Sequence, residues 1–243
     1  MKTTIILSVA FAALMNCADA QEPSPNGEPK EIPFELSDTD KQIIKMRIKL
    51  VLEKDQQFRS YMSFGTTDES KIARLKKLGM KEQMQAMAEK SQLSPEVLAL
   101  LRQLQKKNDT QNHQEFCRIV RQYGYPSSKR LGTKSDRLFV LLLHPPVELE
   151  NIETHIQEMS KLLLPEVKSG RMPAKLFATF IDNMHGKILR KPQVYGTNQQ
   201  FDRATGKVLP PQIEDLKKTN AARVAIGLPE LKAGEYRLIQ KAR

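Results

Sequence analysis

The chain has 243 residues, a formal net charge of +11, and only 6% aromatic residues. This length is enough to bury a sizeable core in one large domain or two small ones, and two cysteines are too few for a disulfide-stapled scaffold. The positive charge favours anionic partners, but the basic residues are scattered and little aromatic surface is available for stacking, which disfavours nucleic-acid binding.

The first twenty residues, MKTTIILSVAFAALMNCADA, have the pattern of an export signal. A positively charged start precedes an apolar run over 5–15, and a small-x-small motif ends at Ala20. We therefore expect cleavage near Ala20, a periplasmic or secreted protein, and no transmembrane segment in the remainder. The alternative is a lipid anchor on Cys17, although Asn16 is an unusual residue before such a cysteine.

The next segment, 21–36, is rich in proline and glutamate and predicts a flexible tether. A single, mainly α-helical domain is then expected over 37–243. Ser37 is placed to cap a long first helix, since its hydroxyl can accept a hydrogen bond from the first turn. The helix carries an apolar stripe at Ile44, Ile48, Val51, Phe58 and Met62.

Residues 67–107 predict further helices that form a methionine- and lysine-rich helical insertion or cover. Its amphipathic face is suited to a membrane or a partner, but we expect it to pack on its own domain. A separate helix is predicted from Asn108 to Gly124. A nearly all-apolar helix then ends at His144, because Pro145 disfavours helical geometry in the residue before it.

Two amphipathic helices follow and are predicted to close at Gly170 and Gly186. The spacing of apolar residues then changes from a helical pattern to one typical of strands. QVYGTNQQF, the turn DRATG and KVLPP predict a β-hairpin near the C-terminus, with Gly206 as the left-handed turn residue. A short helix, TNAARVAIG, completes a mainly α fold with one small β-hairpin.

Familiar catalytic and metal motifs are missing from the sequence. The four histidines are dispersed, and neither a paired zinc spacing nor a G-x-S-x-G element is present. GTKS at 132–135 lacks the preceding glycine and strand of a phosphate loop. The sequence therefore predicts no metal and no cofactor.

Asp55 and Arg59 form the first polar anomaly. Asp55 interrupts the apolar stripe of the first long helix, and Arg59 lies one turn further on. One interpretation is an ion pair that ties a core helix to its neighbours, and the other is a ligand contact. His144 is either a helix cap or a general acid or base, since imidazole titrates near neutrality.

Asp182 lies beside an apolar stripe near a helix C-terminus, where a negative charge is disfavoured. It therefore needs a partner, either His144 or Arg223. A contact with His144 would orient the imidazole for catalysis, whereas a contact with Arg223 would be structural. Gln193, Tyr195, Thr197 and Asn198 either support the hairpin entry or form a polar ligand cradle.

Several of these elements resemble a known family. In chain order they are DQQFR (55–59), YGYP (123–126), His144, FIDN (180–183), QVYGTN (193–198) and RVAIGL (223–228). They resemble the bacterial group catalogued as domain of unknown function 6624. The resemblance implies a bacterial, exported protein and carries no known reaction. Leu143, Asn183 and Asn198 stand where that family has Gln, Arg and Gln, which implies weakened or lost activity.

Two main functional hypotheses follow from the sequence, and a third, adhesion to a nucleic acid or a membrane, rests on the positive charge alone. The first is a non-catalytic envelope or secreted module that binds a polar or anionic ligand through Asp55, Arg59, Gln193, Tyr195, Thr197, Asn198 and Arg223. The alternative is a metal-independent hydrolase or transferase. In it His144 is the general acid or base, Asp182 orients it, and Arg223 or Arg59 holds an anionic substrate.

Overall fold

The computed structural model describes residues 32–88, 91–146, 151–202 and 207–239. The predicted leader, the Cys17 alternative and residues 21–31 lie outside this part of the chain. The helices are α1 Asp38–Phe64, α2 Glu69–Leu75, α3 Met80–Ala88, α4 Pro95–Tyr123, α5 Ser128–Leu131, a 3₁₀ helix Arg137–Leu143, α6 Ile152–Lys168, α7 Ala174–Asn183, a π turn Met184–Ile188 and α8 Leu216–Ala225. The strands are β1 Gln200–Asp202, β2 Lys207–Leu209, β3 Gln212–Ile213 and β4 Arg237–Leu238.

The fold is mainly α, as predicted, and the long helices α1 and α4 pack along each other. Helix α1 begins after Ser37, whose Oγ accepts a hydrogen bond from Asp40 N, so the predicted cap is confirmed. Ile44, Ile48 and Val51 of the predicted stripe are buried. Phe58 and Met62 are only half-buried, because the buried face of the last two turns passes through Ser60 and Phe64 instead.

Helix α4 is continuous through the predicted break at Asn108, so that break is wrong. Two polar side chains on its α1-facing side explain the continuity. Gln105 Nε2 donates to the carbonyl of Asp55 over 3.2 Å, and Asn108 Nδ2 donates to that of Lys54 over 3.1 Å. Their amides thus bond across to α1 rather than to their own backbone. The predicted insertion over 67–107 therefore ends inside a helix that belongs to the central pair.

The apolar segment before His144 forms a seven-residue 3₁₀ helix rather than the predicted α-helix. Leu138 and Leu141 are buried three residues apart, which matches the three residues per turn of this helix type. The predicted end is confirmed, because His144 follows the helix as its cap residue and precedes Pro145.

The last residues of the predicted tether, 32–36, are held against the domain, so the prediction of flexibility is wrong for them. Arg130 is the reason. Its side chain is only 1% exposed. Its guanidinium donates hydrogen bonds of 2.7 to 3.0 Å to four backbone carbonyls, those of Pro33, Phe34, Tyr123 and Tyr125.

The C-terminal part differs from the prediction in its boundaries. After α7 the chain continues past Gly186 as the π turn. The antiparallel hairpin of β1 and β2 pairs Phe201 with Val208, and it begins at Gln200 rather than at Gln193. The predicted turn residue Gly206 lies outside the described residues. The two-residue parallel pair of β3 and β4 is too short to leave a periodic signal in the sequence.

Helix α8 begins at Leu216, three residues before the predicted start at Thr219. Asp215 caps it through a hydrogen bond from Lys218 N. Across the described ranges, no helix has the length and apolar character needed to span a bilayer.

His155 on α6 is a buried histidine that the sequence analysis did not single out; it is 4% exposed. Its ring centroid lies 4.9 Å from that of His113 and 6.4 Å from that of Phe180. Burial, with a smaller contribution from the charge of His113, lowers the pKa of His155 to about 4. The folded protein therefore holds this imidazole neutral.

We predict that His155 makes stability fall as the pH drops from 7 towards 4. The unfolded histidine takes up a proton near pH 6.5, whereas the folded one does so only near 4. Protonation in this window therefore favours the unfolded state, by up to about 3 kcal/mol. Urea unfolding at several pH values measures how steeply the free energy of unfolding depends on pH. His155→Leu should flatten this dependence, and an unchanged slope would contradict this assignment.

Candidate functional site

The nine residues singled out from the sequence fall into two groups. Asp55, Arg59 and His144 lie together where α1 meets the end of the 3₁₀ helix. The remaining residues gather around the loop 193–198, and they are Asp182, Gln193, Tyr195, Thr197, Asn198 and Arg223. No hydrogen bond or ion pair between described residues joins the two groups.

Asp55 is the centre of the first group and has no exposed surface. Its Oδ1 lies 2.8 Å from His144 Nδ1 and 3.4 Å from Arg59 Nε, and its Oδ2 accepts from Gln56 Nε2 over 2.6 Å. Burial by itself raises the pKa of Asp55. The hydrogen bond and charge of His144, followed by the charge of Arg59, outweigh burial and lower that pKa below its usual value. The carboxyl group is therefore ionised at neutral pH.

The ionised carboxylate of Asp55 fixes the tautomer of His144. Because Asp55 Oδ1 can only accept, Nδ1 of His144 carries the proton and donates it. A neutral ring then has its lone pair on Nε2, which makes no hydrogen bond with the described residues. The side chain of His144 is 27% exposed, so solvent or a ligand reaches the ring.

Two side chains of α4 extend this network, and sequence reasoning missed both. Arg59 donates to Asp109 Oδ1 over 2.6 Å, and Gln105 Nε2 donates to the same oxygen over 2.8 Å. Burial raises the pKa of Asp109, and the amide of Gln105 and the cation Arg59 offset this only in part. In the sequence, Gln105 and Asp109 look like the solvent-facing side of a helix, so no local signal marks them.

A cavity of about 240 Å³ adjoins this network. It lies between α1, α4 and the proline pair that directly follows His144. Three cations and one carboxylate are among its lining residues, which are Arg59, Met62, Arg102, Gln105, Lys106, Asp109, Pro145 and Pro146. The lining residues that the structure describes therefore carry a positive formal charge, and none of them is serine, threonine or cysteine.

Asp182 is caged by the loop 193–198. Its Oδ1 accepts from the N–H groups of Val194 and Tyr195 over 2.8 and 2.9 Å. Its Oδ2 accepts from both the N–H and the hydroxyl of Thr197, each over 2.7 Å. The prediction that Asp182 pairs with His144 or Arg223 is wrong, because these four donors occupy its carboxylate. Burial raises the pKa of Asp182, and the four donors oppose it.

Arg223 and Gln193 secure the same loop from other sides. Arg223 donates to the carbonyl of Tyr195 over 2.7 Å and to that of Pro229 over 2.6 Å. The side-chain amide of Gln193 bonds both the carbonyl and the N–H of Asn198, over 2.7 and 2.9 Å. These contacts account for the polar residues as supports of the loop, and their role in ligand binding stays a prediction.

Gly196 is required at the apex of this loop. Its φ of +64° lies in the left-handed region. An added Cβ would also stand 2.9 Å from Leu231 Cδ1. The glycine in the QVYGTN element therefore has a steric reason that is independent of any ligand.

Comparisons with known proteins suggest neither a family nor a function for this chain. No family model matches the chain, and no curated protein or solved structure does either. The resemblance to domain of unknown function 6624 therefore stays a prediction. Among the described residues, no group of three or more His, Cys, Asp or Glu side chains is arranged to hold a metal ion.

We predict strong energetic coupling between Asp55 and His144. Asp55→Asn removes a buried charge that compensates two partners, so it should destabilise the fold by about 3 kcal/mol. Combined with His144→Gln, the loss should be non-additive by about 1 kcal/mol or more, since the residues share a hydrogen bond. Urea unfolding of the single and double variants gives this coupling energy.

Asp182 supplies the matched control for this cycle. Asp182→Asn and His144→Gln share no hydrogen-bond partner, so their effects should add within about 0.5 kcal/mol. Strong coupling in the control, or none between Asp55 and His144, would contradict the arrangement of the two groups.

Proposed function

We propose that this protein is an exported module that binds a small anionic ligand in the cavity between α1 and α4. The supporting observation is the cavity wall, where Arg59 and Arg102 present guanidinium groups next to the buried Asp55 network. A guanidinium group offers planar, paired donors that match carboxylate, sulfate and phosphate oxygens.

Arg59 and Arg102 contribute in different ways. Arg59 is 25% exposed and is held by Asp55 and Asp109, so its position is fixed before a ligand arrives. Arg102 is exposed and makes no ion pair with another described residue, so its side chain can adjust to a ligand. Together they provide one preorganised and one adaptable cation.

The volume of the cavity limits the ligand. Pockets for drug-sized molecules are roughly 300 to 1,000 Å³, and this cavity, at about 240 Å³, is smaller. A free oxyanion or a small organic acid fits these dimensions better than a polymer segment. We therefore place a single anionic group, with few further atoms, between the arginines.

Arg102→Gln should weaken the binding of inorganic phosphate and sulfate about tenfold, the effect of losing one charge-assisted hydrogen bond. Calorimetric titration at constant ionic strength measures the dissociation constants. Arg118→Gln is the matched control, because it removes the same charge from an arginine that pairs with Glu115 and does not line the cavity. Equal losses in both variants, or no binding by the parent, would contradict the site.

A second candidate function, a metal-independent hydrolase or transferase, is favoured by the 2.8 Å contact between Asp55 and His144. With Nδ1–H donated to Asp55, Nε2 can take a proton from water or from a substrate hydroxyl. The carboxylate then stabilises the imidazolium that forms. Because the cavity wall offers no side-chain hydroxyl or thiol, the attacking group would be water or the acceptor substrate itself.

If this second function holds, His144→Gln should lower the hydrolysis rate of small phosphate and acetate esters by about 10² or more. Nitrophenyl esters give a direct spectrophotometric readout. Asp55→Asn should lower kcat similarly, because an amide can donate to Nδ1 and leave Nε2 protonated. Asp182→Asn, if folded, should retain the parent rate. A rate that survives in His144→Gln would rule out the histidine as the base.

A further inference from the structure

Helix α3 buries none of its residues. The prediction that the amphipathic face of this segment packs on its own domain is wrong for the methionine face of α3. Met80, Met84 and Met87 are 80%, 65% and 45% exposed. Their spacing of four and three residues places all three on one side of the helix. The result is an apolar stripe without a partner among the described residues.

Cations flank this stripe along the chain. Arg74, Lys76, Lys77 and Lys81 are all exposed or half-exposed, and they lie on α2, on the α2–α3 connection and in the first turn of α3. Between 71 and 88 the chain carries five cations and a single carboxylate, Glu82. Glu82 lies roughly 200° around the helix from Met80, so it does not interrupt the stripe. We call the three methionines and these four cations the α3 surface.

The charge of the α3 surface decides between occupants. A second copy of this chain would bring an identical set of cations against it, and like charges close together repel. A surface that is anionic, with an apolar layer beneath its charges, complements both the cations and the methionines of the α3 surface. A bilayer of anionic lipids has this composition, with headgroups for lysine and an acyl region for methionine.

We propose that the α3 surface docks the protein on an anionic lipid membrane. Helix α3 lies parallel to the bilayer, with Met80, Met84 and Met87 at the boundary of the acyl chains. Lys76, Lys77 and Lys81 contact the lipid phosphates. This proposal does not depend on the cavity ligand, because none of these residues lines the cavity.

The absence of tryptophan from the chain permits a local test. Met84→Trp places a single fluorophore in the stripe, and Met46→Trp places one at a 59% exposed position on α1 as the matched control. With phosphatidylglycerol vesicles, the emission of the Met84→Trp variant should shift to shorter wavelength and that of the Met46→Trp variant should not. Phosphatidylcholine vesicles should shift neither. Because each fluorophore reports on its own surroundings, membrane contact by the apolar run at 5–15 does not produce this pattern.

A second set of variants separates docking from simple charge attraction. Replacing all three methionines by glutamine keeps the net charge and should lower the partition onto phosphatidylglycerol vesicles at least tenfold. Replacing Lys76, Lys77 and Lys81 by glutamine should do the same. Full partitioning by the methionine variant, or an unshifted emission from Met84→Trp, would overturn the proposal. A shift of the Met84→Trp emission with polyglutamate but not with vesicles would also overturn it, in favour of an acidic protein partner.

Discussion

The burial of one carboxylate, Asp55, constrains the rest of the helical core. An ionised group without exposed surface must be compensated by charges and donors, or the fold loses several kcal/mol. Its partners come from α1 itself and from the residue after the 3₁₀ helix, and α4 joins through Gln105 and Asp109. The compensation of Asp55 thus fixes the relative positions of α1, α4 and the end of the 3₁₀ helix, which are distant in sequence. The same requirement brings His144 to α1, and the prolines that follow it line the cavity.

The sequence predicts the local part of this arrangement well. The register of Asp55 with Ile48 and Val51 predicts that it faces the core, and Pro145 predicts the end of the helix at His144. The partner of His144 could not be read locally. Asp55 lies on an apolar stripe and Asp182 lies beside one, and the choice between them depends on a contact that spans 89 positions. The roles of Gln105 and Asp109 depend on the same long-range packing.

The loop 193–198 shows how a cluster of polar residues can have a structural origin. Its backbone N–H groups lie in an irregular segment and need acceptors, and the carboxylate of Asp182 supplies them. Arg223 and the side-chain nitrogen of Gln193 donate in turn to the loop carbonyls of Tyr195 and Asn198. Composition alone cannot distinguish such a loop from a ligand cradle, because both consist of amides, hydroxyls and a glycine. The difference lies in where the donors point.

The guanidinium of Arg130 also bears on the order of folding. Its contact with the carbonyl of Phe34 joins residues 96 positions apart. The entropy of closing so long a loop is recovered only after α4 and α5 have formed the site that receives the arm. We therefore expect residues 32–36 to join the native structure late. Along the folding pathway, closing this arm is then one of the last steps, after the helices that receive it are in place.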